Sequence, residues 1–274
     1  ELPEILEKLS TSLQQRGYHV LVFMAQQTAG NIDDVLEEIL DYQVDGIVLA
    51  SVAMSSMLAE RCDAAGIPVV LFNRAQQEDR FSTVTSDNFA GGKALAEFLV
   101  AGGHRRIGYI AGLEGASTQR DREAGFCAGL AEHGHKLFAR GVGDFRTETA
   151  AKAARAMFSA SEFPDAVFVA NDHMAFAVIE ELRGNLGLRV PEDVSVVGYD
   201  DVQLSRWSSF DLTTVRQPSG EMVAETVAAL MAQIEDGETE PRRVKIDGPL
   251  VVRGSARRPA DWKANWKECD DERL

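Results

Sequence analysis

Two pairs of polar residues, Asn171-Asp172 and Asp200-Asp201, each follow a short apolar run, Ala166–Ala170 and Val194–Val197. A carboxylate or amide placed just past a buried strand can bond to vicinal hydroxyls of a small polar molecule. Asp200 fits that role, with capping of a nearby loop or helix as the plain alternative, whereas Asp201 is read as capping or pairing structurally. Asn171 can cap the following helix or reach a ligand, and Asp172 is read as a cap. Arg122, in S-T-Q-R-D-R-E-A-G-F, carries a planar fork suited to a hydroxyl pair, a carboxylate or a phosphate. The alternative for it is a solvated helix arginine, the reading given to Arg120. Thr118 lies one turn earlier and by itself reads as an N-cap. Phe145, in G-V-G-D-F, reads by itself as core packing. Asn73 and Arg74 follow another apolar run, Pro68–Phe72. They are candidate contacts too, although Arg74 reads equally well as a loop residue without a role. Asp87 and Asn88 read as a helix cap, and His104 as part of a helix-to-strand turn with no chemistry.

The elements that must position these groups follow from hydrophobic spacing. Met174, Ala177, Val178 and Leu182 recur at helical spacing between the two apolar runs, and Gly184 and Gly187 stop that helix. A strand–helix–strand unit with parallel strands brings Asn171 and Asp200 to one sheet edge, the edge where open α/β sheets bind ligands. The same alternation runs through the chain. A helix through Leu2, Ile5, Leu6, Leu9 and Leu13 ends at Gly17, and a strand is expected from Tyr18 to Met24. Asn31 caps a helix through Ile32 to Leu40; a strand follows at 47–49, a helix at 54–65, and strands at 68–72 and 82–85. Further helices are expected at 89–100, 119–132, 147–160 and 221–234, and further strands at 106–111, 212–215, 244–246 and 250–252. Gly141–Phe145 is expected as a loop, and Trp262–Leu274 as a charged tail that is surface-attached or frayed. The sheet is therefore mostly parallel and covered on both faces. Because sheets of more than about ten strands tend to split, two domains are expected.

Composition narrows the function classes. The chain has 274 residues, 45% of them hydrophobic, and a formal net charge of -15, which repels nucleic acid over most of its surface. Cys62, Cys127 and Cys269 form no C-x-x-C or metal pattern and favour a reducing compartment. The N-terminal helix is amphipathic, unlike a signal peptide, and no apolar run approaches a membrane span. A soluble cytoplasmic protein, or a fragment of one, is expected. The phosphate-binding G-x-x-x-x-G-K-[ST], G-x-S-x-G, H-E-x-x-H and complete G-x-G-x-x-G patterns do not occur. Of the five histidines only His133 and His135 are close, and no further ligand accompanies them. No carboxylate pair has a spacing that suggests acid–base work. An enzyme, a metal site and a cofactor are therefore not expected.

The runs P-E-D-V-S-V-V-G-Y-D-D and L-T-T-V-R-Q-P, with V-D-G-I-V-L, I-P-V-V-L-F, S-D-N-F-A-G-G and G-H-R-R-I-G-Y-I-A-G, carry a resemblance to a known family. From its first helix to about Ala256 the chain resembles the effector-binding core of the LacI/GalR transcriptional regulators. The resemblance implies an α/β fold of two Rossmann-like subdomains with parallel sheets, periplasmic-binding-protein-like (type I), with the effector in a cleft between them. On this chain it places one subdomain at 1–86 plus 217–244, the other at 87–216 plus 245–258, and a tail at 259–274. It also implies that Asp200, Arg122, Asn171, Thr118 and Phe145 contact the effector, with Asn73 and Arg74 closing over it from the other subdomain. The effector expected is a small polar metabolite such as a sugar or sugar derivative. Arg74 and Arg122 suit an anionic group, but neutral polyhydroxylated sugars use arginine as well. A homodimeric repressor is implied, reaching operator DNA through a helix-turn-helix that this stretch does not include. The family's first core strand, normally preceding the Leu2 helix, is also not in it, so the stretch reads as truncated. A periplasmic sugar-binding protein of a transporter is the competing reading of the same fold.

Overall fold

A computed structural model describes residues 2–23, 39, 41–51, 56–75, 80–260 and 262. The chain divides into two compact units, Glu1–Ser86 with Pro218–Ile246, and Asp87–Gln217 with Asp247–Leu274.

The first unit opens with α1 (Leu2–Gln14), which buries Ile5, Leu9 and Leu13 at helical spacing. It continues with β1 (Ile47–Ala50), α2 (Ser56–Ala65), β2 (Val69–Phe72) and β3 (Ser82–Ser86). After an excursion through the second unit the chain returns with the helix Ser219–Glu235 and the strand Arg243–Ile246. The four strands form a parallel sheet in which β1, β2, β3 and Arg243–Ile246 lie side by side. Every residue of β2 and β3 is buried, the pattern of inner strands covered on both faces. One face packs on α1 and the Ser219–Glu235 helix through Val70, Phe72, Val84, Met222, Val227 and Leu230. The other packs Val69, Leu71, Ala59 and Cys62.

The second unit runs α3 (Asn88–Ala101), β4 (Ile107–Ala111), α4 (Ser117–Glu132), β5 (Ala139–Val142), α5 (Thr147–Phe158) and β6 (Ala166–Val169). It goes on through α6 (Asp172–Glu180), which runs into a π-helical turn at Glu181–Asn185, then β7 (Ser195–Asp200) and a 3-10 turn at Gln203–Arg206. β8 (Thr213–Arg216) completes this pass, α7 is the Ser219–Glu235 helix of the first unit, β9 its Arg243–Ile246 strand, and β10 (Leu250–Val251) closes the second sheet. That sheet has the order β10-β8-β7-β6-β4-β5, parallel except for the antiparallel β10. Tyr109, Phe126 and Phe168 form its aromatic centre, with ring centroids 5.0 to 5.9 Å apart. α3 and α4 cross at glycines. A Cβ on Gly125 would fall on the Phe89 carbonyl oxygen, and one on Gly92 on that of Arg122. Only glycine permits so close a backbone approach.

Two expectations need correction. Residues 18–23 form no strand, although Tyr18 and Val20 pack inward while Leu21 and Val22 are exposed. Alternation reports which face is buried, whereas a strand also needs a ladder partner. The expected loop at 141–145 begins inside β5, which pairs with β4 from Gly108–Ala139 to Ala111–Val142. As the edge of its sheet β5 is only half covered, so Arg140 and Gly141 hide its strand character. The tail's first tryptophan, Trp262, sits edge-on against Phe98 at 5.1 Å, the surface-attached form of the two expected for the tail. The helix expected at 32–40 lies outside the described residues except for Ile39, which is buried and helical, and Met24 and residues 263–274 lie outside them as well.

Candidate functional site

In the second unit the parallel strands β7, β6, β4 and β5 end along one edge of the sheet, and each is followed by a residue singled out from sequence. Asp200 ends β7, Asn171 follows β6, Thr118 stands at the start of α4 after β4, and Phe145 follows β5. Gln217 follows β8 next to Asp200 and donates its backbone N–H to the Asp200 carbonyl at 3.2 Å.

Arg122 is the hub. Buried in the second turn of α4, it donates from Nε to Asn88 Oδ1 at 2.8 Å and from Nη1 to the Ala170 carbonyl at 2.6 Å. From Nη2 it donates to Asp200 Oδ1 at 3.1 Å, and its guanidinium lies 3.7 Å above the Tyr199 ring. The glycine crossing of α3 on α4 brings Asn88 and Arg122 within reach of each other. Asp200 Oδ1 also accepts from Gln217 Nε2 at 2.7 Å. A φ of 122° at Asp200 turns its backbone out of the strand, a conformation that persists only where surrounding structure holds it. Its second oxygen, Oδ2, bonds to no described group and can accept from a ligand hydroxyl. Arg122 likewise has N–H groups beyond those already bonded. The pair is charge-compensated, so it can bond to the hydroxyls of a neutral polyol without leaving a buried charge unpaired.

Asn171 is the N-cap of α6, its Oδ1 accepting from Met174 N at 3.0 Å, so the amide Nδ2 remains for another partner. Phe145, at φ 54°, lays its ring against Gly112, where any Cβ would overlap the ring. Thr118 is buried and is not the cap of α4: that position belongs to Ala116. In the first unit Asn73 follows β2 at φ 54°, donates its N–H to Val84 O at 2.9 Å, and leaves Oδ1 buried without a hydrogen bond. Arg74 Nη1 lies 3.5 Å from the Asn73 carbonyl.

Sequence reasoning placed the hub but misread its surroundings. Asp87 is the cap of α3, as expected, but Asn88 is a partner of Arg122 rather than part of the cap. Gln217 and Tyr199 sit inside the quoted R-Q-P and G-Y-D runs, and nothing in residue type alone marks them. Asp172 is not a cap. Its closed-off carboxylate accepts from Val202 N at 3.0 Å, Ser205 Oγ at 2.7 Å and Thr214 Oγ1 at 2.7 Å. Burial, and secondarily the neighbouring Asp200 charge, push its pKa well above the ordinary carboxylate range. Asp201 pairs structurally, as read, with Arg216 at 2.6 Å and Arg253 at 2.7 Å. No cluster of three metal-ligating side chains exists among the described residues.

Residues 96–256 match the model of the periplasmic binding protein-like domain. The chain is 35% identical to the HTH-type transcriptional regulator CelR of Thermobifida fusca, over 90% of this chain and 73% of that protein. To the HTH-type transcriptional repressor PurR of Pasteurella multocida it is 29% identical, over 93% of this chain and 77% of that protein. Among solved structures, a complex of the transcriptional regulator CelR with cellobiose superposes with a TM-score of 0.84 at 32% identity, covering 92% of this chain and 78% of that one.

Proposed function

Since this chain belongs to the LacI/GalR family of transcriptional regulators and carries that family's periplasmic-binding-protein-like core, we propose that it senses a sugar or sugar derivative. The observation that carries this reading is the buried Arg122–Asp200 pair, held by Asn88, Ala170 O and Gln217 at the strand-end edge of the second unit. Arg122 and Asp200 bond to vicinal hydroxyls, the Asn171 amide and Thr118 hydroxyl add polar contacts, and the Phe145 ring stacks on an apolar sugar face. In the first unit Asn73 and Arg74 are candidate ligand contacts, and the buried Asn73 Oδ1, without a hydrogen bond, is a ready acceptor. A sugar that favours one arrangement of the two units over another converts binding into a change of shape, through differential affinity alone.

The relatives of this chain are named as transcriptional regulators, which sets aside both an enzyme and a transporter's receptor. The protein acts as a cytoplasmic homodimer that meets operator DNA through a helix-turn-helix segment outside this stretch. The acidic balance of the stretch, -15, fits an arrangement in which the core itself avoids DNA. No described helix is long and apolar enough to cross a membrane.

Calorimetric titration with a sugar panel that includes cellobiose and ribose tests the reading. At least one sugar is expected to give a saturable heat that Asp200→Ala abolishes while far-UV circular dichroism stays unchanged. Undiminished affinity in that variant removes Asp200 from the site, and silence across neutral and phosphorylated sugars alike removes the effector class.

A further inference from the structure

Asp172 is a fully buried carboxylate beside Asp200, and the protein's own donors occupy both of its oxygens. Its bonds join separate pieces of chain. Oδ2 accepts from Val202 N and Ser205 Oγ, both in the turn that leaves β7, and Oδ1 accepts from Thr214 Oγ1 in β8. Gly198 of β7 passes directly over it, and a Cβ there would fall on Asp172 Oδ1. The turn it ties down starts with two residues at positive φ, Asp200 at 122° and Asp201 at 55°. L-residues hold such a backbone only under constraint from their surroundings. Asp201 supplies one constraint through Arg216 and Arg253. Asp172 supplies the other, on the opposite side of the same turn. Its charged neighbour is Asp200, and the arginines of the surrounding elements, Arg206, Arg216 and Arg253, are turned to Asp201 instead.

We propose that Asp172 is a positioning residue of the effector site: it ties the turn after β7 to β8 and so holds Asp200 where Arg122 and Gln217 meet its carboxylate. The effector arm of the test rests on the function proposed above; the geometric arm does not.

The geometric arm follows the Arg122 Nε–H signal by nitrogen-15 NMR, identified by its loss in Arg122→Lys. Asp172→Ala is expected to move this signal toward the position of solvent-exposed arginines. Asp172→Asn, which can keep one acceptor on Val202 and Ser205 and a donor for Thr214, is expected to leave it nearly in place. The effector arm titrates cellobiose: Asp172→Ala lowers affinity at least about tenfold and Asp172→Asn restores most of it. Val178→Ala, a cavity in the buried face of α6, serves as a control that lowers stability without moving either readout. An unchanged Arg122 signal in Asp172→Ala overturns the proposal, and so does a control that reproduces the shift. If Asp172→Ala fails to fold, Ser205→Ala and Thr214→Val each cut one tie. A smaller shift in the same direction supports the proposal, and no shift in either overturns it. If the unaltered protein gives no heat with cellobiose, the choice of sugar fails and the Arg122 signal alone decides.

Discussion

Removing the Arg122–Asp200 pair whole should cost less than the two single cuts added together. The two side chains are 3% and 7% exposed and 3.1 Å apart, so water neither screens the pair nor rehydrates a partner left behind. Asp200→Ala strands the Arg122 guanidinium and deprives Gln217 Nε2 of its acceptor. Arg122→Met strands the Asp200 carboxylate and removes one donor each from the Ala170 carbonyl and Asn88 Oδ1. Each single change is expected to destabilise the second unit by about 3–5 kcal/mol, the usual cost of an uncompensated buried charge. The double variant Arg122→Met with Asp200→Ala leaves neither charge behind. It should fall short of the sum of the singles by about 2 kcal/mol or more, within the range measured for directly coupled residues. Urea denaturation followed by tryptophan fluorescence reports this unit, because the described tryptophans, Trp207 and Trp262, belong to it. Additivity of the two changes to within about 0.5 kcal/mol would refute the argument, for it would mean that the charges do not depend on each other.

Three further outcomes follow from the same coordinates. Gly125→Ala forces a methyl group into the Phe89 carbonyl, so α3 and α4 must separate. Destabilisation of about 1–3 kcal/mol or more, together with loss of sugar binding, is expected in melting and calorimetry, and a neutral melting temperature would contradict the close crossing. Asn171→Asp keeps a cap on Met174 N but exchanges the amide donor for an acceptor; stability should hold within about 0.5 kcal/mol while sugar affinity drops about tenfold. Equal affinity would confine Asn171 to capping. For Asp172 the pKa in the folded chain is raised from 3.8 to about 7, so ionisation there favours the unfolded chain. Its contribution is full below pH of about 4 and is lost as pH rises through about 7. Asp172→Asn should therefore cost most near pH 4 and least near pH 8 in thermal melts, and a cost that grows with pH would be the wrong sign.

Much of the architecture was legible because strands buried on both faces and helices with one buried stripe write their periods directly into residue type. Ala166–Val169, Val69–Phe72 and the α7 stripe of Val223, Val227 and Leu230 are cases where period and structure coincide. Where an element depends on a partner rather than on its own burial, that reading fails. β5 owes its strand state to the ladder with β4, and the apolar run at 18–23 forms no ladder among the described residues. The candidate site divides along the same line. The placement of Asn171 and Asp200 at one edge of a parallel sheet follows from the order of apolar runs and glycines, since parallel strands must end on the same side. Which neighbour each polar group bonds to does not follow, because a carboxylate or amide has the same chemistry whether it caps a helix, ties down a turn or meets a ligand. Asp172 and Asn88 were taken for caps and Gln217 passed unnoticed. Only the packing of α3 on α4 and of β8 beside β7 brings Asn88 and Gln217 to the Arg122–Asp200 pair and folds Asp172 beneath it. Sequence spacing sets what can lie along one strand or helix, while contacts across 34 residues (Asn88 to Arg122) or 78 residues (Arg122 to Asp200) exist only once the chain has closed on itself.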